Sequence, residues 1–265
     1  MPITAAVISS KTSSERRRIM TEQLNFIEDI KWNFFDALNF NSKIPGLDSN
    51  PDLQLREYGR LLTEGEIGCF KSHISLLSCF IDSCNADWLL VIEDDVYIDP
   101  YFSVHEVVTY AIKNNINYIR LFAKSYQRAD VVDMISNFRQ IIRFRTDPYG
   151  TQAYLINKNG CKSLLNKIHC ITVPIDDLFG RFWEHGLDAY CVFPFPAIER
   201  NLQSALTLDR NALESDRAKF RVGNLINRIE LKVKKLIYNC SYGFRRKFRR
   251  FSRRSLSSSS NHPRM

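Results

Sequence analysis

Short apolar runs and amphipathic stretches alternate along most of this chain. Residues 3–8 form a compact hydrophobic run suited to a buried strand, and Thr12 and Ser14 offer caps for a following helix. Residues 31–38 predict a second strand, aromatic and alternating. Residues 41–60 contain Pro45-Gly46, Asp48, Asn50-Pro51 and Gly59, and read as a long loop, either a lid or disordered. Thr63-Glu64-Gly65-Glu66 is a capping box that opens one long helix reaching Cys84. Residues 87–92 predict a strand apolar on both faces, as in a sheet covered by helices on each side. Pro100 opens a helix to about Asn115. Residues 118–122, 139–144, 152–156 and 189–193 are strand-like, and 158–168 helical. Strands alternating with helices predict an α/β fold built on a mostly parallel sheet.

Composition adds one asymmetry. Apolar and charged fractions of 45% and 25% exclude global disorder. The net charge of +8 is unevenly placed. Residues 217–265 hold fifteen Lys/Arg and a single acid, Glu230, which leaves twenty-two cations against twenty-eight acids in residues 1–216. A mildly acidic domain therefore carries a strongly basic tail. The first ten residues lack a basic region ahead of their apolar stretch and read as a strand rather than a secretion signal. No apolar run approaches the ~20 residues that span a bilayer. Seven scattered cysteines, without the short spacings of zinc or redox motifs, predict reduced thiols in a cytosolic protein.

The most informative string is Glu93-Asp94-Asp95, directly after the hydrophobic strand. In open α/β sheets the ligand crevice lies at the carboxyl ends of the strands. Three adjacent negative charges repel one another there unless a cation joins them, and Mg²⁺ or Mn²⁺ shared with a ligand's phosphates resolves that repulsion. Asp95 is the expected metal ligand, Glu93 a ligand to the metal or a nucleotide ribose, and Asp94 a contact to a sugar or the scaffold. A solvated strand end is the plain alternative.

The strings around this triplet resemble glycosyltransferase family 25. In chain order they are Glu15-Arg16-Arg17, Phe35-Asp36-Ala37-Leu38, Gly65-Glu66-Ile67-Gly68-Cys69-Phe70-Lys71-Ser72-His73, Val91 to Val96, Ile119-Arg120-Leu121, Gly150 to Ile156, Pro174-Ile175-Asp176, Pro194 to Ala197 and Gln203-Ser204-Ala205-Leu206. Ala153 stands where relatives more often carry glycine, and Gly160-Cys161 replaces a more usual alanine. The resemblance implies a GT-A-like (Rossmann-like) fold, a UDP-sugar donor (UDP-galactose or UDP-glucose), a divalent cation (Mn²⁺ or Mg²⁺) and inversion at the anomeric carbon. The family includes lipooligosaccharide galactosyltransferases, so it also implies a lipid-linked oligosaccharide acceptor at the inner face of a bacterial cytoplasmic membrane.

Roles follow from that chemistry. An inverting transfer needs a base for the acceptor hydroxyl and positive charge near the departing diphosphate. Asp176 is the favoured base, with Asp177 equally able to serve as base or further metal ligand, although an aspartate here also suits a helix cap. The expected donor-binding set is Ser9, Arg16, Arg17, His73, Glu93, Asp94, Arg120, Thr151 and Ser204, and the metal set is Glu93 and Asp95. His73, four residues after Cys69, would be a satisfied core histidine without the resemblance.

From Arg217 the pattern changes. Val222, Leu225, Ile226, Ile229, Val233, Leu236 and Ile237 keep a helical stripe, and Phe244, Phe248 and Phe251 interleave with arginines. This suits either an anionic membrane surface or packing on the domain. Nucleic acid is not an expected partner. The expected division is a catalytic domain over 1–210, a basic amphipathic segment over 211–254 and a disordered tail over 255–265. The rival functions are a metal-dependent phosphoryl-transfer or hydrolytic enzyme using the same carboxylates, and a basic nucleic-acid-binding module.

Overall fold

The computed structural model describes residues 2–25, 30–136, 138–200 and 227–243. The chain divides into two units, Met1–Asn224 and Leu225–Met265.

The first unit is a three-layer α/β structure. Its elements are β1 (Ile3–Ser9), α1 (Ser14–Leu24), β2 (Lys31–Asp36), β3 (Asp48–Ser49), α2 (Pro51–Glu57), α3 (Glu64–Ser83), β4 (Trp88–Glu93), β5 (Val96–Ile98), α4 (Val104–Lys113), β6 (Tyr118–Arg120), β7 (Ala129–Met134), β8 (Gln140–Phe144), β9 (Ala153–Asn157), α5 (Lys158–Leu165), β10 (Cys170–Ile171), α6 (Ile175–Gly180), α7 (Phe182–His185), β11 (Tyr190–Phe193) and β12 (Ala197–Glu199). Eight strands form one sheet in the order β2-β1-β4-β9-β6-β11-β8-β7. Six run the same way, and β9 and β8 run against them. The sheet is thus mostly parallel, as the alternation of elements predicts.

Alternation along the central strands explains why both faces are covered. Ala5, Val7, Leu90 and Ile92 pack into one core with Met20 and Leu24 of α1 and Val104, Val107 and Val108 of α4. Ala6, Ile8, Leu89 and Val91 face the other core, with Phe70, Leu77 and Phe80 of α3, Leu164 of α5 and Phe179 of α6. A strand apolar at every position is stable only between two such layers.

The capping box at the start of α3 forms as expected. Thr63 Oγ1 accepts from the Glu66 N–H at 3.1 Å, and Glu66 Oε2 accepts from the Thr63 N–H at 3.0 Å. Glu66 is also buried against Arg60, with an N–O separation of 2.7 Å.

Residues 41–60 depart from the sequence expectation, because they are ordered around a short helix. Asn50 Oδ1 accepts from the Leu53 N–H, and Pro51 begins the first turn of α2 with φ already suited to it. Gln54 then donates to Ser49 Oγ and the Ile171 carbonyl and accepts from the Leu62 N–H, which ties the segment to β10. The helix expected from Pro100 begins later, where Ser103 accepts from the Glu106 N–H.

In the second unit, residues 227–243 are helical. Ile229, Val233, Leu236 and Ile237 lie exposed along it, the last two at 64%. No described helix is long and apolar enough to cross a membrane. Val222, Leu225, Ile226, the basic aromatic run after Gly243 and the tail 255–265 lie outside the described residues.

Candidate functional site

One edge of the sheet gathers the polar residues. The parallel strands β1, β4 and β6 end there at Ser9, Glu93 and Arg120. The reversed strand β9 lies between β4 and β6 and begins on the same edge, just after Thr151. Carboxyl ends of neighbouring parallel strands form the ligand crevice of open α/β sheets.

Each acid of the triplet meets a different environment. Asp94 is buried, accepting from Ser9 Oγ at 2.7 Å and from Arg16 at 3.0 Å. Glu93 Oε1 accepts from Thr151 Oγ1 at 3.1 Å and lies 3.3 Å from His73 Nε2. His73 is fully buried, and its Nδ1 lies 2.9 Å from the Tyr154 hydroxyl.

Asp95 differs from both neighbours. Its Oδ1 is buried and has no hydrogen-bond partner among the described residues. Burial first, and then the charges of Glu93, Asp94 and Glu199, push its carboxyl up to about 7, with Arg16 acting in the opposite sense. A buried carboxylate oxygen left unpaired costs about 1–3 kcal/mol or more. A hard divalent cation is the partner that oxygen donors of this kind favour. The orphaned Asp95 oxygen fits such an ion.

A second acidic group lies on α6. The helix is capped by Pro174, not by a side chain, so Asp176 is not its N-cap; its Oδ1 accepts instead from the Asp177 N–H at 3.2 Å. Burial, and then the charges of Asp176 and Asp147, push the Asp177 carboxyl up to about 7, opposed by Arg181. The segment 147–151 runs between the two acidic groups. Asp147 adds to the field on Asp177, while Thr151 touches Glu93. Four residues reach at most about 14 Å, which limits the separation of the segment's two ends.

Arg120 organises that segment rather than facing solvent. It is 1% exposed, donates to the Gly150 carbonyl, and lies 3.5 Å from Asp147 Oδ1. Gly150 has φ of +85°, a conformation open to glycine. Gly180 is needed for a different reason: a Cβ there would collide with the Asp147 carboxylate. This contact holds the segment against α6.

Of the expected donor-binding residues, Ser9, Arg16, His73, Glu93, Asp94 and Thr151 come together. Arg17 is directed elsewhere, donating to the Ser9 and Ser10 carbonyls and to Asp36 at 2.6 Å, with its guanidinium over the Phe34 ring. Ser204 lies outside the described residues. His185 is held neutral by burial, its imidazole brought down to about 4, in keeping with an ordinary core histidine. Sequence reasoning missed Glu199 and Asp147. Glu199 reaches Asp95 because β12 pairs with β5, and the Arg200 N–H donates to the Asp95 carbonyl at 2.7 Å. No local signal announces a pairing between segments about a hundred residues apart.

A family model described as glycosyltransferase family 25 (LPS biosynthesis protein) matches residues 3–179, about two thirds of the chain. Over 252 residues the chain is 24% identical to a glycosyltransferase of Haemophilus influenzae, covering 86% of this chain and 85% of that protein. It is 27% identical over 175 residues to the lipooligosaccharide biosynthesis protein lic2B of Haemophilus influenzae, covering 62% of this chain and 64% of that protein. To procollagen galactosyltransferase 1-A of Xenopus laevis it is 30% identical over 153 residues, which are 55% of this chain and 24% of that protein.

The raised carboxyl of Asp177 has a consequence for stability. Folding lifts it from the ordinary aspartate range to about 7, so the folded state holds the proton more tightly. That contribution is complete below about pH 4 and is lost as pH rises through 7. Asp177→Asn, neutral throughout, should melt close to wild type at pH 4 and several degrees above it at pH 8. A melting difference that stays flat across this range would contradict the assignment.

Proposed function

The chain belongs to glycosyltransferase family 25, and we propose that it transfers a hexose, galactose in preference to glucose, from a UDP-sugar to a lipooligosaccharide acceptor. The transfer inverts the anomeric carbon. The observation that carries this reading is the buried Asp95 oxygen, unpartnered among the described residues, beside Glu93, Asp94 and Glu199 at the carboxyl edge of the sheet. Asp95 and Glu93 would hold Mn²⁺ or Mg²⁺, which would supply positive charge against the departing diphosphate.

The chain's own residues do the rest. Arg16, seated by its ion pair with Asp94, brings a cation to the donor side. Thr151 and His73 set the direction of Glu93 toward the ribose or the cation. Arg120 acts through the 147–151 segment, whose shape it fixes. Asp177 takes the proton from the acceptor hydroxyl as its oxygen attacks the anomeric carbon. A base whose carboxyl is pushed up to about 7 combines availability with proton affinity, and this supports Asp177 over Asp176. Galactose is preferred because a procollagen galactosyltransferase is among the similar proteins, and the lipooligosaccharide acceptor because a lipooligosaccharide biosynthesis protein is.

The basic segment, with Leu236 and Ile237 exposed on helix 227–243, is proposed to dock the enzyme on the anionic inner face of the cytoplasmic membrane. Each basic residue near such a surface contributes on the order of 1 kcal/mol.

Three measurements test these assignments. UDP-galactose should raise the melting temperature only when Mn²⁺ or Mg²⁺ is present, and Asp95→Asn should abolish the shift; a cation-independent shift refutes the metal role. Asp177→Asn should lower kcat by roughly 10²–10⁴-fold and remove the rise in rate through pH 7. Retention of more than about a tenth of wild-type turnover excludes it as the base. The double change Leu236→Glu, Ile237→Glu should release the full chain from anionic liposomes while transfer to a soluble acceptor continues, and unchanged flotation would remove the membrane role from this stripe.

A further inference from the structure

Cys69 and His73 stand one turn apart on α3, on the face turned toward the end of β4. A sulfur, a ring nitrogen and a carboxylate oxygen from Cys69, His73 and Glu93 lie within 4.8 Å of one another. The thiol has no part in the transfer chemistry above. Its neighbours are better fixed than chance proximity requires. The His73 ring stacks on Tyr154 with centroids 5.8 Å apart, and its Nδ1 meets the Tyr154 hydroxyl at 2.9 Å. That contact directs Nε2 toward Glu93 Oε1 at 3.3 Å. A tetrahedral zinc ion with bonds of about 2.0–2.2 Å holds its nitrogen and oxygen ligand atoms about 3.3–3.5 Å apart, so the pair already has the spacing of one tetrahedral edge.

We propose that Cys69, His73 and Glu93 form a second cation site that takes a thiophilic divalent ion such as Zn²⁺. Its ligand chemistry separates it from the oxygen donors around Asp95. Thiolate with imidazole selects zinc, whereas carboxylates alone suit magnesium and manganese. On binding, the Cys69 thiol releases its proton to solvent and sulfur coordinates the ion. Nδ1–H of His73 then donates to the Tyr154 oxygen, the outer contact that fixes the tautomer of a ligating histidine. Three protein ligands leave a fourth position for water. Glu93 belongs to both sites, so zinc competes for it with the oxygen-bound cation and inhibits transfer. This last consequence alone rests on the transferase reading.

Binding is tested on the full chain without any sugar, so its failure and the failure of the transferase reading are distinguishable. One equivalent of Co²⁺ should produce the sulfur-to-cobalt charge-transfer absorption and intense tetrahedral bands, which Zn²⁺ should bleach and Cys69→Ser should lack. In the unmodified protein, one equivalent of Zn²⁺ should slow iodoacetamide labelling of Cys69 by about tenfold or more, read by peptide mass, and leave exposed Cys79 at its original rate. Zinc inhibition of transfer should be lost in Cys69→Ser, measured against that variant's own zinc-free rate. A charge-transfer band that survives Cys69→Ser, or Cys69 labelling indifferent to Zn²⁺, overturns the site.

Discussion

Like charge concentrated at the end of a doubly buried strand constrains everything around it. β4 must be apolar at nearly every position because helices cover both of its faces, and it then delivers three carboxylates to the sheet edge. Their repulsion is relieved for two of the three. Asp94 turns to Ser9 and Arg16, and Glu93 to Thr151 and His73. Asp95 is left with Glu199 as a further acid and a buried oxygen without a hydrogen-bond donor among the described residues. A rigid sheet edge that creates a local need for positive charge is also a place where a phosphate-linked donor and its cation can be held without reorganisation.

The opposite side of this region is built by a different device. Arg120 is buried, and it determines the path of residues 147–151 through Gly150 and Asp147. Asp147 in turn fits against α6 only because residue 180 has no side chain. The same carboxylate contributes to the raised proton affinity of Asp177. A buried cation, a glycine and an acid thus couple the geometry of one segment to the chemistry of another. The family relationship supplies the reaction class, while these contacts supply a physical account of how the residues divide the work.

Much of this was legible in the chain. The continuous apolar run before Glu93 and the capping box at Thr63 are local patterns, and both form as expected, whereas β7 at the end of the sheet had no sequence expectation. Arg16, His73 and Thr151 were assigned to the donor by resemblance, and their contacts with Asp94 and Glu93 come from the structure. Other features were not legible for identifiable reasons. The short helix at Asn50-Pro51 was hidden in a segment rich in turn formers, because its stability comes from Gln54 bonding to β10 more than a hundred residues away. Arg17 follows Arg16 in sequence, but consecutive helical residues point in different directions, so only one reaches Asp94 while the other meets Asp36.

The sequence by itself determined the α/β class, the apolar faces of the central strands, the acidic triplet at a strand end and the reaction family, since each is written in contiguous residues. Tertiary structure alone decided which acid remains unpaired, that Glu199 and Asp147 join the two acidic groups, and that Cys69, His73 and Glu93 converge. Those outcomes depend on strand pairing and helix docking between distant segments. Electrostatic energy depends on separation in space and on burial, and neither can be read from separation along the chain.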